Sequence, residues 1–167
     1  EKIDLSELIG EARDFYINSR GKKENEIVVK LPATIPLIHG DRAQLAQVVN
    51  NLLSNAFKYG KKGAPVTISL APNKPGTMLC LAITDLGDGI APEHIPRLTE
   101  RFYRVDKGRS KSIGGTGLGL AIVKHITERH GGRMEITSAV GAGTTVSIML
   151  PIASDATSQG DAADAAA

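Results

Sequence analysis

The stretch NNLLSNAFKYG, residues 50–60, puts amides and an ammonium group into a segment that reads as a helix built to bury leucines. Leu45, Val48, Val49, Leu52, Leu53 and Ala56 recur at helical spacing and predict one apolar stripe. Asn51, Asn55 and Lys58 form a second stripe beside it. Asparagine competes with the helix for backbone hydrogen bonds, so two of them one turn apart carry a propensity cost. Taken alone, such amides are as readily solvated, or satisfied by a neighbouring loop, as they are engaged in chemistry. The rest of the chain shifts that balance.

Seven of the eighteen glycines lie between residues 85 and 119, six of them in DLGDGI and GGTGLGL on either side of a basic loop. Glycine-rich backbone opening a helix exposes unpaired N–H groups and lets an anion approach closely, which is the chemistry of a phosphate site. The familiar phosphate motifs are missing. There is no G-x-x-x-x-G-K-[ST], and Gly115, Gly117 and Gly119 are spaced G-x-G-x-G in a segment that follows no strand. P-loop and Rossmann readings are therefore weak. Asp85 closes an apolar run and is followed by Gly87 and Gly89. A carboxylate there can accept hydrogen bonds from an exocyclic amine, while the glycines let a flat ring lie against the backbone. By chemistry that is an adenine site, although an aspartate at a strand end also serves as a simple turn residue.

Composition bounds the rest. The 167 residues suffice for one domain with a real core and are too few for two comfortable ones. Twenty basic residues face eighteen acidic ones, but the last fifteen residues hold Asp155, Asp161 and Asp164 and no base. The body thus carries 20 basic against 15 acidic residues, a mild excess that fits a phosphate-bearing ligand or an acidic partner. No basic run interleaved with aromatics points to nucleic acid. Cys80 is the only cysteine, so neither an internal disulfide nor a cysteine zinc site is available, and a reducing compartment is expected. No apolar run approaches the roughly 20 residues that cross a bilayer.

These residues need elements to hold them. DLSELIGEARDFYINSRGKKE predicts an amphipathic helix capped by Asp4 or Ser6, EIVVKL a strand, and IPLIHGD an extended segment. Asp41 caps a long helix over residues 42–59. APVTISLA and TMLCLAITD read as adjacent antiparallel strands around the turn PNKPG. APEHIPRLTERF predicts a short helix, YRVDKGRSKSIGG a mobile loop, and TGLGLAIVKHITERHGG a helix with a Gly-Gly stop. RMEITSAVGAGTTVSIMLP gives two final strands, and ASDATSQGDAADAAA a disordered tail. The predicted fold is α+β: a two-layer sandwich with a mixed, mainly antiparallel sheet and helices on one face, over residues 1–152, with the tail at 153–167.

With those segments in place, DRAQLAQVVNNLLSNAFKYG, DLGDGI, ERFYRVD and GGTGLGLAI resemble, in order and spacing, the N, G1, F and G2 boxes of the catalytic, ATP-binding domain of bacterial sensor histidine kinases. That domain belongs to the superfamily shared with gyrase, heat-shock protein 90 and the mismatch-repair ATPases, and the resemblance spans residues 4–151. The run FYRVDKGRSKSIGGTGLGLAIVKHI is most similar to phosphate-responsive sensor kinases. The resemblance implies the Bergerat ATP-binding fold and the transfer of the γ-phosphoryl group of ATP, with Mg²⁺, to a histidine. By it, Asn55 ligates Mg²⁺, and Asn51 faces the same metal–phosphate site. Lys58 contacts phosphate, Tyr59 packs on the adenine, and Arg104 reaches the γ-phosphate. Asp85 reads the adenine amine beside Gly87, Gly89 and Ile90. Gly115, Thr116, Gly117, Leu118, Gly119 and Leu120 form the phosphate-cradling lid, and Thr144 supports the adenine contact through water.

At Thr99 the chain departs from the family, which usually carries Phe there; a missing aromatic anchor would loosen the lid. None of His39, His94, His125 and His130 lies in the family's phosphoacceptor pattern, so each is expected to be a surface or capping residue. The expected partners are a dimerisation and histidine phosphotransfer domain and a response regulator, with the isolated domain a monomer. The expected location is the cytoplasmic portion of a membrane-anchored kinase. Dedicated ATPases of the superfamily carry Glu where Asn51 stands, and an amide cannot take a proton from water. Position 51 therefore favours kinase over ATPase, with a non-catalytic nucleotide-binding scaffold as a third reading.

Overall fold

The structure, a computed structural model, describes residues 1–101, 103 and 119–154. The expectations placed on Arg104, Gly115, Thr116, Gly117 and Leu118, on the basic loop, and on the tail beyond residue 154 lie outside the described residues.

Strand β1 (Lys2–Ile3) leads into helix α1 (Leu5–Ser19), where the Asp4 carboxylate accepts from the Ser6 N–H at 2.8 Å. Leu5, Leu8, Ile9 and Ala12 are its buried stripe. Strands β2 (Ile27–Lys30) and β3 (Ile38–His39) follow. Helix α2 then runs Arg42–Tyr59, with Asp41 accepting from the Gln44 N–H at 3.0 Å. Its buried residues are the six apolar positions picked out by periodicity. Strands β4 (Val66–Pro72) and β5 (Met78–Asp85), helix α3 (Gly119–Arg129), and strands β6 (Arg133–Ser138) and β7 (Thr144–Pro151) complete the α-helices and strands of the described residues.

Five strands form one sheet in the order β2-β4-β5-β7-β6, with β2 parallel to β4 and every other pair antiparallel. Strand β5 shows why helices cover one face only. Leu79, Leu81 and Ile83 are buried, while Met78, Cys80, Ala82 and Thr84 between them are partly exposed, the period-2 signature of a half-covered sheet. Helix α2 packs on β4 and β5 and is flanked by α1 and α3. Strand β1 pairs with β3 in a separate two-stranded sheet, and Ile38 of β3 also bridges Ile152.

One expected element changes type. In place of a helix over APEHIPRLTERF there is a single 3₁₀ turn, Ile95–Arg97, within a series of i→i+3 turns. Pro92 and Pro96 have no N–H to give, so an α-helical ladder cannot run through the segment. His94 Nδ1 hydrogen-bonds the Tyr103 hydroxyl, and the Arg97 guanidinium lies 4.3 Å from the centre of the Tyr103 ring. His130 is a capping residue of unusual reach. Its Nδ1 is 2.8 Å from the Ile126 carbonyl in α3, and its Nε2 accepts from the Asp41 N–H at 3.1 Å, tying the end of α3 to the start of α2.

Candidate active site

The site assembles where the end of α2 meets the end of β5. The last turn of α2 delivers Lys58 and Tyr59, and Gly60 closes the helix by donating to the Ala56 carbonyl at 2.8 Å. Asp85 is the last residue of β5 and is only 7% exposed. Its Oδ1 accepts from the Gly87 N–H at 2.9 Å. Burial pushes the Asp85 carboxyl above the ordinary aspartate range, and the backbone N–H groups of Gly87 and Thr144 offset part of that rise.

Two glycines are dictated by close approach. A Cβ on Gly87 would stand 2.2 Å from the Tyr59 carbonyl oxygen. Gly89 has φ +75°, and a Cβ there would lie 1.9 Å from the Ala139 carbonyl oxygen. The loop after β5 is thus pressed between the end of α2 and the β6–β7 turn. Beside it opens a cleft of about 1200 Å³ whose walls include Lys58, Tyr59, Gly60, Asp85, Gly87 and Asp88. Lys22, Lys61 and Lys62 also line it, with Glu26 paired to Lys22 at 3.9 Å, so the lining carries four lysines that can meet an anion.

Asn51 and Asn55 lie further back on the same helix, half-buried, and are not among the cleft-lining residues. Asn51 stands seven residues before Lys58, about 10 Å along the axis. Its Nδ2 is shielded from solvent and has no hydrogen-bond partner among the described residues. A buried orphan donor costs about 1–3 kcal/mol, so this amide is suited to an acceptor arriving from outside, such as a phosphate oxygen. Ile90 is held by its N–H to the Ser138 Oγ at 2.8 Å, and Thr144 stands opposite Asp85 in the β5–β7 register. Gly119 and Leu120 open α3. The structure therefore gathers Lys58, Tyr59, Asp85 and Gly87 around one cleft, with Asn51 and Asn55 on the helix leading to it. Sequence reasoning missed Lys61, Lys62 and Ser138; the run GKKG directly after the helix was the available signal for the two lysines.

A two-layer domain with a buried carboxylate facing a glycine-bordered cleft, lysines in its lining and an amide stripe on the adjoining helix has the parts of a nucleotide-binding module. The chain belongs to the family described as histidine kinase-, DNA gyrase B-, and HSP90-like ATPases, which it matches over residues 40–154. Within that family it is similar to the sensor-like histidine kinase SenX3 of Mycobacterium tuberculosis, 38% identical over 149 residues, covering 89% of this chain and 36% of SenX3. It is 46% identical to the phosphate regulon sensor protein PhoR of Pseudomonas aeruginosa over 108 residues, covering 65% of this chain and 24% of PhoR. The solved structure of the mycobacterial sensor histidine kinase MprB superposes with a TM-score of 0.75 at 32% identity, covering 91% of this chain and 97% of that one. The resemblance to sensor histidine kinases, phosphate-responsive ones included, stands, and the fold is that of their catalytic, ATP-binding domain. The chain spans about a third of the length of SenX3. No helix among the described residues is long and apolar enough to cross a membrane.

Proposed function

We propose that this domain binds ATP with Mg²⁺ and presents the γ-phosphoryl group to a histidine on a separate dimerisation domain, from which it passes to a response regulator. The attacking imidazole nitrogen bonds to the γ-phosphorus as the bond to the β–γ bridging oxygen breaks, and ADP leaves. In this reading Asp85 accepts from the adenine amine and Tyr59 packs on the ring. Gly87 and Gly89 keep the wall flat beside Ile90, and Thr144 supports the contact through water. Lys58 and Arg104 neutralise phosphate charge, and the backbone of Gly115, Thr116, Gly117, Leu118, Gly119 and Leu120 cradles it. The Asn55 carbonyl oxygen suits Mg²⁺, a hard cation usually held by one or two protein oxygens plus phosphates, which would supply further charge neutralisation. Among the described residues no cluster of three His, Cys, Asp or Glu could hold a metal, in keeping with a cation bound mainly through the nucleotide.

The observation that carries kinase over ATPase is the orphaned amide of Asn51, a group that can orient an oxygen but cannot take a proton from water. The test is incubation of the domain with γ-labelled ATP and a separately made dimerisation domain of a related kinase. Label on the histidine is the expected result. Release of inorganic phosphate at the same rate with and without that domain would replace this reading with the ATPase one.

A further inference from the structure

The Ser138 hydroxyl, at the end of β6, uses its full hydrogen-bonding capacity. It accepts from the Ile90 N–H at 2.8 Å, donates to the Gly143 carbonyl at 2.8 Å, and lies 2.8 Å from Thr144 Oγ1. A hydroxyl has one hydrogen, and a carbonyl cannot supply another. With the Ser138 proton given to Gly143, the remaining contact runs from Thr144 to Ser138. The Thr144 hydroxyl then has only lone pairs left for anything else. Thr144 is the register partner of Asp85, whose carboxylate, when ionised, is likewise an acceptor only. A second tie between the same segments runs from the Gly141 N–H to the Asp88 carbonyl at 2.6 Å.

We propose that Ser138 is a positioning residue for base selection. It seats the loop from Asp85 to Ile90 on the β6–β7 turn and locks the Thr144 hydroxyl as an acceptor. The Asp85–Thr144 pair then offers acceptors alone, and a water between them gives one hydrogen to each and keeps only lone pairs for the base, which favours a purine with an amine at its 6-position over one with a carbonyl. This rests on the reading that Asp85 meets adenine. Removing the hydroxyl frees Thr144 to rotate and donate, so a 6-carbonyl no longer faces lone pairs only, and it unpins the Ile90 N–H.

The experiment is calorimetric titration of the whole 167-residue chain with ADP and with inosine diphosphate, which carries the carbonyl, for wild type, Ser138→Ala and Ser138→Thr. Wild type should favour ADP. Ser138→Ala should lose about threefold or more in ADP affinity with a smaller change for inosine diphosphate, so that the ratio falls, and Ser138→Thr should restore it. Thermal unfolding checks each variant; if the alanine form does not fold, Ser138→Cys, with its weaker donor, should show the same fall in the ratio. An unchanged ratio, including one in which both nucleotides weaken equally, overturns the proposal. A wild type that does not distinguish the two nucleotides overturns the adenine reading itself, and the role of Ser138 with it.

Discussion

Asp85 is where binding and stability pull against each other. Its carboxyl is raised by burial, so the folded domain holds that proton more tightly than the unfolded chain does. Its ionisation therefore subtracts from the stability of the nucleotide-free domain as pH rises from the ordinary aspartate value through the raised one, and the loss is complete above it. Asp85→Asn keeps an acceptor for the Gly87 N–H and removes the charge. Urea unfolding across a pH series should show the variant gaining on wild type through that window; a difference independent of pH would refute the desolvation argument. The same variant should bind ADP about tenfold or more weakly, since a hydrogen bond to a charged group is worth about 1.5–3 kcal/mol. Unchanged ADP affinity by calorimetry would remove Asp85 from the site. Asp85, Asn51, Asn55 and Lys58 stood out as candidates by residue type and spacing, and the resemblance supplied the roles proposed for them. Ser138 was not, because the contact that gives it a role, the Ile90 N–H, comes from 48 residues away in sequence.

At the level of elements, α2 matched its sequence reading at both ends, since Asp41 and Gly60 carry unambiguous local signals and the apolar stripe is continuous between them. The segment read as a short helix is a 3₁₀ turn at Ile95–Arg97, because Pro92 and Pro96 lack the N–H groups an α-helical ladder needs. The β1–β3 pair could not be read at all: two residues have no period. The contact that matters most for the site lies between elements, where the loop after β5 meets the carbonyl of Tyr59. Gly87→Ala would force a Cβ to 2.2 Å from that oxygen. The expected cost is about 1–3 kcal/mol of stability, together with a weaker nucleotide complex as Tyr59 and Asp85 are pushed apart. A melting temperature and ADP affinity both equal to wild type would show that the loop yields without effect. Asp41→Ala should cost about 1 kcal/mol through the lost cap and leave the cleft intact, so melting should shift while ADP affinity holds.

For the molecule as a whole, the layer arrangement followed from patterning, whereas the parallel β2–β4 pairing, a long-range choice, had no local signal. The functional expectation at this scale is separation of binding from turnover. With an amide at residue 51, the domain alone should bind ATP and hydrolyse it only marginally. Steady-state phosphate release from exhaustively purified protein, at rates typical of a dedicated ATPase, would contradict this. Asn51→Glu asks whether restoring a base raises turnover.

The double pairing of β3 bears on how the domain carries load. Ile38 pairs with Ile3 on one edge and bridges Ile152 on the other, and the Ala153 N–H donates to the Leu37 carbonyl at 2.8 Å. Ile3 and Ile152 are thus about 10 Å apart, two strand spacings. Tension applied through residues 1–3 and 152–154 would be borne by the few hydrogen bonds of β3. The Ile152 N–H also donates to the Thr77 carbonyl at 2.9 Å, so any load passed on to the sheet enters β5 at its Met78 end, opposite the Asp85 end that borders the cleft.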